Sequence, residues 1–397
     1  MNMQEIASRF AACDCGHRHY DLAIEDIRIE RGALNEAAAY AARKGLRRAT
    51  LVCDERTYAA AGKALEERLQ SEGVAFNTIK LIANANGDVL ADELSVVQTF
   101  LETPQESEAL FAVGAGTIHD VARFVSFKMN LPFVSVPTAA SVDGFNSMGA
   151  PLIVRGFKTT YQLHSPIAVF ADLDVLTAAP RAMSAAGFGD MIAKYTSLLD
   201  WEFSRIAAEE PYCPTVARLT REALDECVEQ IDDIANGGEK GIATLTRGLM
   251  LSGLAMLAFG QSHPASGGEH HVSHVWEMEA LKKGKKQALH GAKVGVSSRL
   301  VATRYLSEFA PLLENDEGTT LPEPIHRERD ALAAAVRALP TAARYKEMLD
   351  RVGGPVEPAE LDIDETSVAE ALRTAHTIRN RYTILKFLNE TQGNRPV

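Results

Sequence analysis

Residues 109–130 read ALFAVGAGTIHDVARFVSFKMN, and this stretch decides the fold. Ala109 to Val113 is an apolar run of the length and composition of a buried strand. Gly114-Ala115-Gly116-Thr117 makes a tight turn, and the apolar spacing after it is helical. Strand, glycine turn and helix form the unit of an open α/β sheet that gathers ligands at its carboxyl edge. Glycines let the backbone approach a phosphate, and the following helix offers free N–H groups and a positive dipole end. The third glycine of the dinucleotide fingerprint is missing, so the turn alone fits a pyrophosphate site or a plain βα connection.

The flanking sequence repeats this alternation. The spacing predicts a helix at about 35–44, a strand at ATLVCDERTY (49–58), a helix in AGKALEERLQSEG (61–73), a strand at FNTIKLI (76–82) and a helix over 91–104. Asp54 falls where the strand at 49–58 should end, placed either to accept ribose hydroxyls of an adenine nucleotide or to cap a helix. A buried strand over Pro132–Val136 leads into a polar loop holding Thr138, Ser141, Asp143, Asn146 and Ser147. That loop reads as functional, on the same sheet edge as the glycine turn. A hairpin turning near Gly156 and one more strand complete the pattern.

From Asp174 onward the spacing is helical and no strand recurs. The expected organisation is an α/β nucleotide-binding domain over 1–175 and an all-helical domain over 176–397. RAMSAAGFGDMIAKYTSLLDWEF (181–203) puts Asp190 and Lys194 one turn apart, as a metal ligand beside a lysine or as an ordinary helix pair. Gly187 and Gly189 permit a close backbone approach. IATLTRGLMLSGLAMLAFG (242–260) is apolar enough for a buried core helix. A histidine group follows, with His263, His270, His271, His274 and His290 among the 11 of the chain. Ser266 or Gly267 is placed to cap a helix starting near Glu269. On that helix His270 and His274 share a face. Near the N-terminus Cys13, Cys15, His17 and His19 alternate, and in an extended segment all four would share a side; both a zinc-like set and a plain loop fit.

The chain has 397 residues, enough for about two domains. Its formal net charge of -12, with no basic block, argues against a nucleic-acid or anionic-membrane surface. No apolar run of about 20 residues stands out as a membrane span, and the first 20 residues lack an apolar signal core. Five cysteines, an odd number, fit reduced thiols in the cytoplasm.

AVGAGTIHD (112–120), FVSVPTAASVDGFNSMGAPL (133–152), FGDMIAKYTSLLDW (188–201), SGGEHHVSHVWEM (266–278) and LHGAKVGV (289–296) resemble, in order and spacing, the glycerol-1-phosphate dehydrogenases. The similarity is greatest to the bacterial AraM-type branch of this group, within the iron-containing alcohol dehydrogenase and dehydroquinate synthase superfamily. It covers about residues 20–300; the far C-terminus adds little. The resemblance implies a Rossmann-like N-terminal domain, an all-α C-terminal domain and an active site in the cleft between them. It implies NAD(H)- or NADP(H)-linked interconversion of dihydroxyacetone phosphate and sn-glycerol 1-phosphate, a divalent zinc or nickel ion, and a homodimer.

Carried onto this chain, the resemblance makes Asp190, His270 and His290 the metal ligands, and His274 a substrate contact instead of a metal partner of His270. Asp143 and Asp190 would also touch substrate. The cofactor would meet Asp54, the turn from Gly114 and Gly116 through Thr117, Ile118, His119 and Asp120, then Thr138, Ala139, Ala140, Ser141 and Ser147. His274 would move a proton and Asp143 would hold a terminal hydroxyl, while the ion stabilises the alkoxide. Lys194, His271 and Arg155 are the candidates for the substrate phosphate. Two positions depart from the family pattern: Gly268 replaces a serine and His263 a smaller polar residue. Rival readings are a glycerol dehydrogenase, a dehydroquinate synthase-like lyase, and a non-catalytic metal or nucleotide sensor on the same fold.

Overall fold

The structure, a computed structural model, describes residues 3–314 and 321–392. Six strands form one parallel sheet: β1 (Asp26–Glu30), β2 (Arg48–Cys53), β3 (Ala75–Lys80), β4 (Ala109–Gly114), β5 (Phe133–Pro137) and β8 (Ala168–Asp172). Between β5 and β8 the chain makes an antiparallel hairpin of β6 (Gly149–Val154) and β7 (Phe157–Gln162). Arg155 and Gly156 turn it, with φ of 53° and 77°.

The sheet order is β1-β8-β5-β4-β2-β3. The chain runs from β2 outward to β3, then returns to place β4 on the other side of β2. The reversal opens a crevice at the carboxyl ends of β2 and β4, where Asp54 and the Gly114–Gly116 turn lie. β4, β5 and β8 are buried throughout, and their runs are apolar apart from Ser135 and Asp172.

Two elements lie outside the sequence expectation, the N-terminal helix Met3–Ala11 and β1. β1 is an edge strand of five residues whose Ile27 and Ile29 alternate with charges, too short a signal to separate from a loop. The strand in the 49–58 stretch ends at Cys53, as expected just before Asp54, whose carboxylate accepts the Thr57 N–H at 2.7 Å and starts a helix.

After Asp172 the described residues form helices and no strand. The Glu239–Phe259 helix is long and apolar enough to cross a membrane, against the expectation of no such run, but 78% of its apolar window is buried in the protein. The Arg181–Ile192 helix packs along the His290–Arg304 helix. Glycine makes it possible. A Cβ on Gly189 would strike the Gly291 carbonyl, and one on Gly291 would strike the Ala186 carbonyl. This contact sets Asp190 beside His290.

Candidate metal and dinucleotide site

A cleft of about 930 Å³ lies between the sheet edge and the helices. On the sheet side it is lined by Asp54, Ala115 to Ile118 and Asp120. The Gly116–Lys128 helix begins without a side-chain cap, and its first-turn residues Gly116, Thr117 and Ile118 line the cleft. Gly114 lies just behind the wall, where a Cβ would collide with Ile118. Thr138, Ala139, Ser141, Asp143 and Ser147 extend the wall as the polar loop predicts.

Two expected cofactor contacts turn elsewhere. His119 points inward: its ring nitrogens reach the Ala115 carbonyl at 2.9 Å and the Ser135 hydroxyl at 2.7 Å, and burial pushes it down to about 3. Ala140 is buried with its carbonyl against Gly187. Asn146, in the same loop, also turns inward and donates to the Met250 carbonyl at 2.9 Å.

The helical side brings Asp190, His270 and His290 together, with one ligand atom of each within 4.8 Å of the others. His270 and His290 line the cleft, and Asp190 lies fully buried behind it. The Gly268–Lys282 helix that carries His270 starts at Gly267. Ser266 does not cap it: the Glu269 carboxylate accepts the Gly267 N–H at 2.6 Å, and Asp200 accepts the Gly268 N–H at 2.7 Å. A Cβ on Gly268 would press on the Tyr305 hydroxyl, which explains why serine is absent there. His263 has its own partner, the Glu210 carboxylate at 3.1 Å.

Burial raises the Asp190 carboxyl, but Lys194, His270 and His290 outweigh it and hold the group well below the carboxylate range. Burial also presses the His290 ring down to about 3, so it stays neutral, and its Nδ1 is buried with no protein partner. His270 Nδ1 contacts the Glu269 carboxylate at 2.7 Å, which directs Nε2 toward Asp190 Oδ1 at 3.6 Å. Burial opposes a charged His270 ring, yet Asp190 and Glu269 raise its proton affinity, and the same negative pocket favours a cation. Glu269 is in turn fixed by the Thr196 hydroxyl at 2.7 Å. One carboxylate, two imidazoles and a carboxylate behind one of them fit a divalent ion with N and O ligands.

A second group, His274, Glu277 and His290, also has ligand atoms within 4.8 Å. Its Glu277 is committed to Lys158 at 2.7 and 2.9 Å, which makes it the poorer cation site. Asp143 opens onto the cleft, and its Oδ2 accepts from Ser252 at 2.8 Å and pairs with Lys194 at 2.7 Å.

The three expected phosphate partners are all misplaced. Lys194 is buried between Asp143 and Asp190, His271 is fully buried off the cleft, and Arg155 is exposed at the hairpin turn. Lys158, Lys293 and Arg379 line the cleft instead, around Glu277 and His274. Glu277 was legible, since it follows His270 and His274 at helical spacing on one face. Lys158 and Arg379 carry no local signal, because hairpin and C-terminal segment reach the cleft only through the fold.

Residues 28–180 match the family described as iron-containing alcohol dehydrogenase. A glycerol-1-phosphate dehydrogenase [NAD(P)+] of Geobacillus stearothermophilus is 50% identical over 98% of both chains. The chain belongs to the glycerol-1-phosphate dehydrogenase family. A second such relative, from Halalkalibacterium halodurans, is 45% identical to this family member over 97% of each. Maleylacetate reductase of Agrobacterium tumefaciens shares the fold of this glycerol-1-phosphate dehydrogenase family chain, with a TM-score of 0.68 at 18% identity over 96% of this chain and 99% of its own.

The glycine contact gives a first prediction for this family member. Gly291→Ala forces the Arg181–Ile192 and His290–Arg304 helices apart at the point that pairs Asp190 with His290. Overpacking of this kind costs about 1–3 kcal/mol. The expected outcome is a lower melting temperature together with weaker metal retention on dialysis. Unchanged melting and unchanged metal content would remove the glycine contact as the device that sets the site.

Proposed function

We propose that this chain interconverts dihydroxyacetone phosphate and sn-glycerol 1-phosphate with NAD(H) or NADP(H), using one zinc or nickel ion at Asp190, His270 and His290. The observation that carries the reading is their convergence on one side of a cleft whose other side is an uncapped helix N-terminus after a glycine turn. The relatives' names supply the substrate. When bound, the ion supplies Lewis acidity to the substrate oxygen and the nicotinamide carries the hydride.

The chain's own residues do the rest. The N–H groups at Gly116 to Ile118 receive the pyrophosphate. Asp54 lies at the ribose position and favours a free 2'-hydroxyl. Arg56 and Arg68 line the same wall and offer charge to a 2'-phosphate, which accommodates both coenzymes. Asp143, held by Lys194 and Ser252, orients a terminal hydroxyl. His274 is kept neutral by burial and by the nearby Lys158 and Arg379 cations, with Arg379 facing its Nε2 at 3.2 Å and Glu277 its Nδ1 at 3.3 Å. It is placed to pass the hydroxyl proton outward. Lys158, Lys293 and Arg379 against Glu277, with the neighbouring Asp120 paired to Arg123 at 3.2 Å, leave two positive charges in excess, the charge of a phosphate monoester dianion. A glycerol dehydrogenase has no use for that excess.

The assembly in this reading is a homodimer. Leu94, Val97 and Leu101, on one face of the Glu93–Glu102 helix, are 80, 53 and 75% exposed and offer an apolar surface for it.

The test is nicotinamide absorbance with dihydroxyacetone phosphate, after loading with zinc or nickel. Oxidation of both NADH and NADPH is expected, with far slower turnover of unphosphorylated dihydroxyacetone. Equal rates on the two ketones favour the glycerol dehydrogenase reading, and no turnover of any ketone with either ion rules out both.

A further inference from the structure

Cys13, Cys15 and His19 lie between the N-terminal helix Met3–Ala11 and β1, and Cys213 comes from 194 residues beyond His19. One ligand atom from each of the four lies within 4.8 Å of the others. Cys13 Sγ is 3.5 Å from Cys213 Sγ, Cys15 Sγ is 3.4 Å from His19 Nε2, and Cys213 Sγ is 3.7 Å from His19 Nε2. A tetrahedral zinc ion, with Zn–S of about 2.3 Å and Zn–N of about 2.0–2.1 Å, sets S···S edges near 3.8 Å and S···N edges near 3.6 Å. The three separations fall within about 0.3 Å of those edges. A disulfide would need its sulfurs about 2.05 Å apart, and all five cysteines of the chain are free thiols.

The geometry points to a second, structural metal site in this protein: a zinc ion bound by Cys13, Cys15, His19 and Cys213. Four protein ligands close the coordination shell, so the site has no open position for a substrate. Three thiolates and a tetrahedral set select zinc over the harder divalent ions. None of the four residues lines the cleft. The alternation read from the sequence put His17 in this set, and the structure replaces it. The segment bends at Gly16, with φ of 80°, His17 is exposed, and Cys213 takes the fourth place.

That exchange resolves the odd spacing. Cys-x-Cys-x-x-x-His is a poor zinc motif alone, and the missing ligand lies at the start of the Pro214–Glu229 helix. Cys213 is the N-cap there, its sulfur accepting the Val216 N–H at 3.4 Å, which fixes where the sulfur points. The ion would fasten the chain leading into the sheet onto the helical domain. Ile6 and Phe10 pack into that same junction, and Arg9 pairs with Glu222 at 2.8 Å.

The experiment is metal analysis and zinc K-edge absorption on the full-length protein purified without chelator. Wild type should hold about two metal equivalents per chain, and His290→Ala, disrupting only the cleft site, should retain one. In His290→Ala the absorption spectrum should show sulfur neighbours at about 2.3 Å. Cys13→Ser combined with Cys213→Ser should lose one equivalent while the cleft metal and turnover persist. His290→Ala protein without zinc, a spectrum with nitrogen and oxygen neighbours only, or a Cys13–Cys213 disulfide in unreduced wild type would each overturn the site. The sulfur signature needs no cysteine variant to fold. It is also independent of the cleft reading, whose failure would show as activity that survives His290→Ala.

Discussion

His290→Ala lowers turnover of dihydroxyacetone phosphate by at least about a thousandfold, the several kcal/mol that a Lewis-acid ion contributes to a developing alkoxide. Compared with metal-free wild type the variant should keep its melting temperature, since His290 leaves Nδ1 without a protein partner, and it should lack the further stabilisation that the bound ion gives wild type. Metal content separates the two cation groups that share this ring. Asp190→Asn should lose the cleft ion with activity, while Glu277→Gln should keep it, because Glu277 is satisfied by Lys158 and Lys293. Loss of the ion in Glu277→Gln and retention in Asp190→Asn would move the site to His274, Glu277 and His290. Wild-type turnover in a metal-stripped His290→Ala sample would sink the metal mechanism.

The sequence revealed what local chemistry encodes. The Ala109–Asn130 stretch announces strand, turn and helix because glycine and apolar periodicity act within a few residues. The reversal that makes this turn a ligand crevice depends on sheet order, which no single stretch carries. Helical spacing pairs His270 with His274, and both do line the cleft. The residues offer Asp190 and His290 only as separate candidates, and the family resemblance alone joins them with His270 into one ligand set, which helix contacts through Gly189 and Gly291 bring together. His119 shows the converse: a polar residue in a nucleotide-binding turn that the helix rotates into the core, where Ser135 satisfies it. The C-terminal segment adds little to the resemblance, yet Arg379 and Arg381 come from it. Arg381 donates to the Ser266 carbonyl, and Arg379 reaches His274. Arginine in a tail is ordinary in a sequence and acquires meaning only by position.

That position carries the remaining prediction. Arg379→Ala or Lys293→Met should raise KM for dihydroxyacetone phosphate on the order of 10- to 100-fold, the 1.5–3 kcal/mol of a hydrogen bond to a charged group. Lys293→Met should leave turnover of unphosphorylated dihydroxyacetone unchanged, since that ketone has no charge for the ammonium to hold, whereas Arg379→Ala also removes a contact of His274 Nε2 and is read on KM alone. The pH profile gives an independent check. Burial lowers Lys293 to about 8, with Glu277 opposing the shift, so Lys293 is cationic below that pH and neutral above it. Phosphate monoesters are already dianions above neutrality, their second pKa being about 6. Wild-type KM for the phosphorylated ketone should therefore climb as pH passes 8, and Lys293→Met should flatten the climb. Bound dianion stabilises the ammonium, so kcat should climb or fall far less than KM over the same range. Equal losses on both ketones would assign Lys293 and Arg379 to the framework around Glu277, and a KM independent of pH between 7 and 9 would take Lys293 out of the phosphate site.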